Sequence, residues 1–341
     1  MGKTIIAGPC SVESREQLRE ATEALCKIPQ VSLIRCGVWK PRTRPGGFEG
    51  LGEPALRWMQ ELADTYHVQY CCEVARPEHV GLCLQHGVRT IWLGARTTTN
   101  PFMVGEICEV LKGSGMDVLV KNPVCPDVSL WLGAVERLRQ AGISHITAVH
   151  RGFSMYHNNG YRNAPVWEVA MEFRREMPDI PILCDPSHIG GRADLLAPLS
   201  STAMQMDYNG LMIEVHPHPA DAWTDAVQQI TPDEFKLLLE ETLHTPVAPD
   251  SEAIPQLTAL RENIDTIDHS LLGMLSQRME LSRQIASIKH ERHMPVYQSG
   301  RWADVVRDRL QLAESMGLDP TFTKEMLEKI HAESVRIQLE S

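Results

Sequence analysis

Residues 180–188 read IPILCDPSH, a short apolar run that ends in side chains able to bind a metal or an anion. Seven other β-branched or apolar runs along the first two thirds of the chain have the same form. In chain order the eight runs are TIIAGPC (4–10), SLIRC (32–36), VQYCCEV (68–74), TIWLGAR (90–96), DVLVKN (117–122), HITAVHR (145–151), IPILCDPSH (180–188) and GLMIEVH (210–216). Their spacing of roughly 25 to 35 residues, with helical patterns between them, predicts an α/β protein, a (β/α)8 TIM barrel with its site at the C-terminal ends of the strands.

The length of the chain predicts a second domain after the barrel. The chain has 341 residues, whereas one such barrel takes about 250. The stretch HTPVAPDSEAIP (244–255) has three prolines and several polar residues, which suit an exposed connector. We therefore assign 1–243 to the barrel, 244–254 to a linker and 255–341 to a small all-helical domain. Apolar residues at helical spacing predict outer helices within 14–28, 53–66, 101–113, 128–142, 164–177 and 231–243.

The composition indicates which kinds of partner the protein binds and in which cellular compartment it works. Lys+Arg 33 against Asp+Glu 44 gives a net charge of -11, which argues against nucleic acid and anionic membranes as partners. The nine cysteines show no disulfide framework, and their odd number leaves at least one unpaired. No apolar run approaches the ~18 residues of a membrane helix, and the start lacks the shape of a signal peptide. We expect a cytoplasmic protein that acts on small molecules.

Four residues near the predicted strand ends form a candidate metal site. They come from strands one, seven and eight and from the loop after strand eight, which are neighbours in a closed barrel. A thiolate, an imidazole and two carboxylates suit a divalent transition metal such as Mn, Fe, Co or Zn. His216 and His218 are competing candidates, and His216 points the same way as the nearby glutamate because it lies two residues further along the strand. The four candidates are Cys10, His188, Glu214 and Asp225.

Six cationic residues follow strands two, four, five and six. An arginine presents a planar fork and a lysine a compact charge, so the mixture implies substrates with several anionic groups. A single arginine at the rim more often reaches solvent or pairs with an acid, and this alternative is open for each one. Lys121 is different because it closes the apolar run DVLVK, and a lysine at the end of a buried strand needs a partner. The six residues are Arg35, Lys40, Arg42, Arg96, Lys121 and Arg151.

Seven motifs carry a resemblance to a known family. They are AGPCSVES (7–14), KPRTRP (40–45), GARTTTNP (94–101), VLVKNP (118–123), HRGF (150–153), CDPSH (184–188) and MIEVHPHPADAWTD (212–225). In this order they resemble the signatures of type I beta 3-deoxy-D-arabino-heptulosonate 7-phosphate (DAHP) synthase, from Gly2 to about Leu243. The resemblance implies an aldol-type condensation of phosphoenolpyruvate (PEP) with erythrose 4-phosphate, which gives DAHP and phosphate in the first step of the shikimate pathway.

The same resemblance implies the roles of the site residues. A divalent metal, Mn²⁺ first, with Co²⁺, Fe²⁺ or Zn²⁺ as alternatives, would be bound by Cys10, His188, Glu214 and Asp225. PEP would be held by Arg35, Lys40, Arg96, Lys121 and Arg151, and the phosphate of erythrose 4-phosphate by Arg42 and Thr43. The metal would supply Lewis acidity at the aldehyde. Lys40 is preferred to His188 as the proton donor because His188 is assigned to the metal. The departures from the family pattern are Arg44, Gly46 and Gly47 in the loop after KPRT.

The C-terminal third carries a pattern of its own. Apolar residues alternate at spacings of three and four without an internal proline, which predicts one helix of roughly 30 residues or more. A domain this small cannot cover such a helix alone, so we expect a homodimer formed through it. Arg278 interrupts the apolar series; a single polar residue can merely fix register, but an arginine there is costly unless an anion meets it. The apolar series is Leu257, Leu260, Ile264, Ile267, Leu271, Met274, Leu281, Ile285 and Ile288.

Four stretches of this domain resemble the all-helical chorismate mutase family. They are LRENIDTID (260–268), LSQRMELSRQIASIKHER (275–292), PVYQSGRW (295–302) and ESVRIQ (333–338). The resemblance implies that Arg261 of the partner subunit and Arg278 bind carboxylates of chorismate, that Lys289 and Gln338 meet its ether oxygen, and that Arg301 and Ser334 line the pocket. A pericyclic rearrangement to prephenate needs only a held conformation and a stabilised ether oxygen. The departures are Gln298 and Trp302, where some members carry acids that hold the substrate hydroxyl.

Two alternatives and one regulatory expectation complete these predictions. The barrel could instead make 3-deoxy-octulosonate 8-phosphate from PEP and arabinose 5-phosphate, although KPRTRP argues against it. The helical domain could be a non-catalytic sensor and dimerisation module, although Lys289 and Gln338 favour catalysis. Because the first strand begins a few residues after Met1, we expect no regulatory module before the barrel. We therefore expect prephenate, or failing that chorismate, to inhibit DAHP formation through the helical domain.

Overall fold

Eight parallel strands close into a barrel in chain order, as the spacing of the apolar runs predicts. A computed structural model describes residues 2–41, 46–156, 160–243, 253–297 and 299–340. The chain divides into two units, 1–245 and 246–341. The strands are Thr4–Gly8 (β1), Val31–Cys36 (β2), Tyr70–Val74 (β3), Thr90–Leu93 (β4), Asp117–Lys121 (β5), Ile146–His150 (β6), Ile182–Cys184 (β7) and Gly210–Glu214 (β8).

The closure of the barrel between β1 and β8 brings two predicted metal ligands together. Thr4 pairs with Gly210 at one end of these strands, and Gly8 pairs with Glu214 at the other. A Cβ atom at Gly210 would lie 1.8 Å from the carbonyl oxygen of Thr4, so only glycine permits this close approach. Cys10 follows β1 by two residues and therefore emerges beside the end of β8.

Ten helices surround the strands in the described part of the first unit. The six predicted helical segments are confirmed, with ends that differ by up to three residues. Four further helices, α3, α4, α8 and α9, were not predicted; α4 and α8 have four and five residues, too few for a helical period to show. The helices are Arg15–Leu25 (α1), Glu53–Tyr66 (α2), Pro77–Gln85 (α3), Ala95–Thr98 (α4), Pro101–Leu111 (α5), Val128–Gln140 (α6), Trp167–Glu176 (α7), Pro186–Gly190 (α8), Leu196–Gln205 (α9) and Pro232–Thr242 (α10).

In its described residues the second unit consists of helices joined by short turns, as predicted. Its helices are Ala253–Glu291 (α11), Ser299–Ser315 (α12) and Pro320–Glu340 (α13). The 39 residues of α11 span about 58 Å at the usual rise of an α-helix, so the predicted long helix is confirmed. Most of the predicted linker lies outside the described residues. None of the described helices is both long enough and apolar enough to span a membrane.

Candidate functional sites

Three of the four predicted metal ligands meet at the mouth of the barrel. The ligand atoms of Cys10, Glu214 and Asp225 all lie within 4.8 Å of one another. The Sγ atom of Cys10 lies 3.3 Å from Oδ2 of Asp225. Burial and the nearby carboxylate of Glu214 raise the pKa of Cys10 to about 12, so without a bound metal ion the thiol keeps its proton. A soft sulfur and two carboxylates packed this closely form a donor set that fits a divalent transition metal.

His188, the fourth predicted ligand, faces the same cluster with one ring nitrogen. Its Nε2 lies 3.7 Å from Oε1 of Glu214, and its Nδ1 lies 2.8 Å from Oδ2 of Asp185. A carboxylate on the far nitrogen fixes the orientation of an imidazole whose other nitrogen binds a metal. Asp185 also accepts a hydrogen bond from the backbone N–H of His188 at the start of α8. Burial opposes ionisation of Asp185, but the charges of His188 and Lys121 hold its pKa well below the usual range.

Glu214 is buried and held in place from two sides. Nη2 of Arg35 donates to its Oε1 at 2.9 Å, and Nε2 of Gln228 donates to its Oε2 at 2.5 Å. Burial opposes its ionisation, but the charges of Arg35, His188 and Lys40 lower its pKa to about 2. Arg35 is 1% exposed, and its Nε and Nη1 atoms have no hydrogen-bond partner. A buried guanidinium with two unpaired groups is suited to an anionic ligand.

Lys40 is the cation that lies nearest to the thiol. Its Nζ lies 3.0 Å from Sγ of Cys10 and donates to the carbonyl oxygen of Cys10 at 2.9 Å. Burial lowers the pKa of this amine, but the acids around it outweigh burial and raise the pKa overall. Lys40 is therefore protonated and lies within reach of whatever the cluster binds.

A cavity of about 280 Å³ opens at this end of the barrel, and charged residues line most of it. Lys121 reaches it from β5 and donates to Oδ2 of Asp185 at 2.8 Å, which confirms that this lysine has a buried partner. Burial lowers the pKa of Arg151 to about 10, so it remains charged at neutral pH. The lining residues are Lys40, Pro41, Glu73, Gly94, Ala95, Arg96, Lys121, Arg151, Arg162, His188 and Asp225.

Sequence reasoning missed two charged residues that organise this cavity, Asp185 and Arg162. Asp185 orients His188, and its position three residues before that histidine at a helix start was the available signal. Arg162 pairs with Oδ1 of Asp225 at 3.0 Å, and no motif marked it. Glu73 ends an apolar run, and its Oε2 accepts a hydrogen bond from Nε1 of Trp92 at 3.2 Å. Arg42 and Thr43, the predicted phosphate contacts, lie outside the described residues.

The competing histidines contact acids other than the cluster. Nε2 of His216 lies 3.6 Å from Oε2 of Glu13, and Nε2 of His218 lies 3.2 Å from Oε2 of Glu20. His216 is buried, whereas His218 is exposed. Neither belongs to the three-residue cluster found among the described residues.

The helical unit brings four predicted residues together from two helices. Arg278 of α11 donates to the hydroxyl of Ser334 on α13. Nζ of Lys289 donates to Oε1 of Gln338 at 3.1 Å and to the carbonyl oxygen of Val296 at 2.6 Å. Partial burial lowers the pKa of Arg278 but leaves it charged. Two cations and two neutral polar groups on facing helices can bind a small dianion.

Two predicted residues of this site are not placed beside the four. Arg261 is exposed on α11, seventeen residues before Arg278. We predicted that Arg261 contributes to the site of a partner subunit. The exposure of Arg261 in a single chain does not test that prediction. The side chain of Arg301 lies outside the described part of α12, and Gln298 lies outside the described residues.

The geometry defines a (β/α)8 barrel with a cavity lined by charged residues and a helical unit in which Arg278, Lys289, Ser334 and Gln338 come together. Residues 2–245 match the DAHP synthetase I family, and residues 260–339 match chorismate mutase type II. The chain therefore belongs to the DAHP synthetase I family, with a chorismate mutase type II domain at its C-terminal end. The two domains indicate two enzyme activities, DAHP synthase and chorismate mutase, for which the families imply PEP, erythrose 4-phosphate and chorismate as substrates.

Individual relatives agree with this assignment. A phospho-2-dehydro-3-deoxyheptonate aldolase of Thermotoga maritima is 34% identical over 238 residues, 70% of this chain and 68% of that protein. A crystal structure of the T. maritima DAHP synthase has a TM-score of 0.64 at 34% identity and covers 70% of this chain and 68% of its own. A T-protein of Enterobacter agglomerans is 33% identical over 81 residues, 24% of this chain and 22% of that protein. A 2-dehydro-3-deoxyphosphooctonate aldolase of Desulfotalea psychrophila is only 25% identical, over 69% of this chain and 86% of that protein.

Proposed function

We propose that the barrel condenses PEP with erythrose 4-phosphate in a metal-dependent reaction at the cluster of Cys10, His188, Glu214 and Asp225. The observation that carries the proposal is that a thiol and two carboxylates lie within 4.8 Å of one another beside a cavity lined with cations. The two carboxylates repel each other at this distance, and a bound cation would relieve that repulsion. The donor set is compatible with Mn²⁺, which we favour, and with Co²⁺, Fe²⁺ or Zn²⁺.

The bound metal supplies Lewis acidity at the aldehyde of erythrose 4-phosphate. The side chains of the chain hold and orient the substrates. Arg35 and Lys121 are buried, and their charges lie over the ring of Trp92, 5.2 and 5.6 Å from its centroid. We assign them, with Lys40, Arg96 and Arg151, to the phosphate and carboxylate of PEP. The free Nε and Nη1 groups of Arg35 support this assignment.

In the proposed reaction, the methylene carbon of PEP attacks the aldehyde carbon, and a proton reaches the new hydroxyl. Water then adds at the carbon that bears the phosphate, and inorganic phosphate leaves. Fixed cations stabilise the negative charge on both phosphate-bearing species without reorganising during the reaction. Lys40 is the proposed proton donor because its Nζ lies 3.0 Å from Sγ of Cys10, beside the cluster. We assign the phosphate of erythrose 4-phosphate to Arg42 and Thr43.

The experiment compares Cys10→Ala with Cys26→Ala, an exposed cysteine away from the cluster. We expect Cys10→Ala to lose condensation and to retain less metal by elemental analysis, while mutase activity is unchanged. Cys26→Ala should match the wild type in both respects. Full condensation by chelator-treated wild type would contradict the metal proposal, and a preference for arabinose 5-phosphate would favour the octulosonate reaction.

We propose that the helical unit rearranges chorismate to prephenate with residues from α11 and α13. Arg278 binds a carboxylate, and Lys289 and Gln338 hydrogen-bond to the ether oxygen as its negative charge grows. The proposal is supported by the 3.1 Å hydrogen bond from Nζ of Lys289 to Oε1 of Gln338, because it brings the two side chains close enough to contact the same oxygen atom. Ser334 holds Arg278, and Arg301 and the partner subunit's Arg261 complete the proposed site.

We also propose that two chains associate through α11. All nine residues of its apolar series are at least 46% exposed in the single chain. A monomer rarely leaves so continuous an apolar surface in water. Leu271→Lys should convert a dimer to a monomer in sedimentation experiments and abolish mutase activity, because Arg261 would no longer reach the other copy. Gln284→Lys, an exposed polar site on the same helix, is the control; an unchanged dimer in Leu271→Lys would contradict the proposal.

Prephenate is the proposed inhibitor of DAHP formation. It is the product of the helical unit, and a ligand shifts activity elsewhere only if its affinity differs between two states of the chain. DAHP formation should fall with prephenate in the full chain and should not fall in a chain that ends at Leu243. Identical curves for both chains would contradict the proposal. Since none of the nine cysteines forms a disulfide, we also infer a reducing, cytoplasmic location.

A further inference from the structure

One imidazole in the helical unit has a polar atom that the structure leaves unsatisfied. Nε2 of His331 on α13 is buried and has no hydrogen-bond partner. Buried polar atoms nearly always have a partner, so each exception needs an explanation. His331 is not among the residues already assigned to chorismate.

The position of His331 on α13 directs it toward the mutase site. It lies three residues before Ser334 and seven before Gln338, a spacing that places all three on one face of a helix. Its pKa is lowered by burial and by the nearby positive charges of Arg278 and Lys289. The imidazole is therefore neutral at physiological pH and lies close to the two cations that bind the substrate.

Trp302 fixes the plane of this imidazole. The two rings are stacked, with centroids 3.9 Å apart and an angle of 10° between the planes. Tyr297 lies further off, with its ring centroid 6.0 Å from that of His331. A stacked ring cannot turn freely, so Nε2 points in a defined direction.

One polar group of chorismate has no proposed partner so far. Its two carboxylates are assigned to the arginines, and its ether oxygen is assigned to Lys289 and Gln338. The remaining polar group is the ring hydroxyl. We propose that Nε2 of His331 hydrogen-bonds to this hydroxyl and makes the site selective for a hydroxylated substrate. The inference rests on the proposed mutase site.

The test uses His331→Phe, which keeps an aromatic ring against Trp302 and removes both ring nitrogens. The substrates are chorismate and the analogue in which hydrogen replaces the ring hydroxyl. We expect kcat/KM for chorismate to fall about fivefold to tenfold, the scale of one lost hydrogen bond in a buried site. The kcat/KM for the analogue should change less than twofold. His290→Phe, an exposed histidine on α11, should match the wild type with both substrates.

Each outcome decides the inference. An equal loss with both substrates would show that His331 only supports the fold, and no loss with either would exclude the contact; both outcomes overturn it. If His331→Phe does not fold, as judged by circular dichroism, His331→Gln carries the test, and it should retain part of the preference for chorismate. Wild-type protein that fails to rearrange chorismate would instead overturn the mutase activity itself.

Discussion

The barrel buries charged side chains, whereas the helical unit exposes apolar ones. In the barrel the pair of Arg35 and Glu214 lies inside, with side chains 1% and 0% exposed. In the helical unit Ile264 and Ile267 lie outside, 56% and 58% exposed. The Arg35–Glu214 ion pair of the barrel forms within a single chain, although Nε and Nη1 of Arg35 have no hydrogen-bond partner. The apolar series of α11 is exposed among the described residues of its own unit.

This difference teaches where each site is completed. The barrel brings its ligands together by closing β1 against β8, which requires only the chain itself. The helical unit brings together Arg278, Lys289, Ser334 and Gln338. Arg261, another predicted contributor, is exposed elsewhere on α11. We therefore expect the barrel site to be sensitive to internal pairing and, with the proposed dimer, the mutase site to be sensitive to association.

The largest effect should follow from breaking a buried pair in the barrel. Lys121→Met leaves the carboxylate of Asp185 without its amine partner at a site that is 0% exposed. We expect a loss of about 3–5 kcal/mol in the free energy of unfolding, because removing one partner of a buried ion pair is strongly destabilising, even though Asp185 keeps its contact with His188. Urea denaturation of the truncated chain ending at Leu243 measures the loss.

The matched control is Lys112→Met, which breaks an exposed pair with Glu109 on the same unit. Exposed pairs contribute little to stability, so no clear change is expected. Equal effects of the two substitutions would contradict the view that internal pairing holds the barrel site together.

The next largest effect concerns the mutase site. Arg278→Ala and Lys289→Ala should each lower kcat/KM for chorismate about 10²- to 10³-fold, the scale of removing one oriented charge from a developing anion. Condensation of PEP and erythrose 4-phosphate should continue in both variants. Wild-type mutase rates in both would reassign the helical unit as a non-catalytic sensor and dimerisation module.

The barrel could be predicted from the sequence because its strands are buried on both faces. Such strands appear as nearly continuous apolar runs, and their spacing fixes the order of the barrel. The strand ends also identified Cys10 and Glu214, since parallel strands that close a barrel deliver their C-terminal ends to one rim.

The sequence revealed Arg35, which pairs with Glu214, but not every residue that contacts the proposed metal ligands. Arg162 comes from the segment after strand β6, and its pairing with Asp225 depends on how two irregular segments approach each other. Local pattern carries no information on such approaches. His331 was missed for a related reason, because its significance comes from stacking on Trp302 of another helix.

A moderate effect should appear in the pH dependence of the barrel. Burial lowers the pKa of His150 to about 4, and its ring lies 2.9 Å from the hydroxyl of Tyr208 and 2.6 Å from the carbonyl oxygen of Pro165. As the pH falls, His150 binds a proton near pH 6.5 in the unfolded chain but only near pH 4 in the folded chain. Stability is therefore fully present above pH 6.5 and falls as the pH drops toward 4.

Because of the difference between the two pKa values, protonation of His150 in the unfolded chain lowers the free energy of unfolding by about 2 kcal/mol between pH 7 and pH 5. His150→Gln removes the titrating group, so its truncated chain should lose about 2 kcal/mol less than the wild type over that range. Urea denaturation at both pH values measures the difference. Parallel losses in the two proteins would show that other groups account for the acid sensitivity.

The smallest effects should come from helix caps, and they should be equal in the two units. The hydroxyl of Thr231 accepts a hydrogen bond from the backbone N–H of Glu234 at the start of α10, and Oδ1 of Asp319 accepts one from Phe322 at the start of α13. Thr231→Ala and Asp319→Ala should each lower stability by about 1 kcal/mol, because a cap satisfies a backbone N–H locally, whatever the rest of the unit does. Urea denaturation of the full chain, followed by hydrogen exchange at each helix, measures both losses. A much larger loss for Asp319→Ala would contradict equal caps. It would show that α13 depends on its first turn and that the helical unit has a low free energy of unfolding in a single chain.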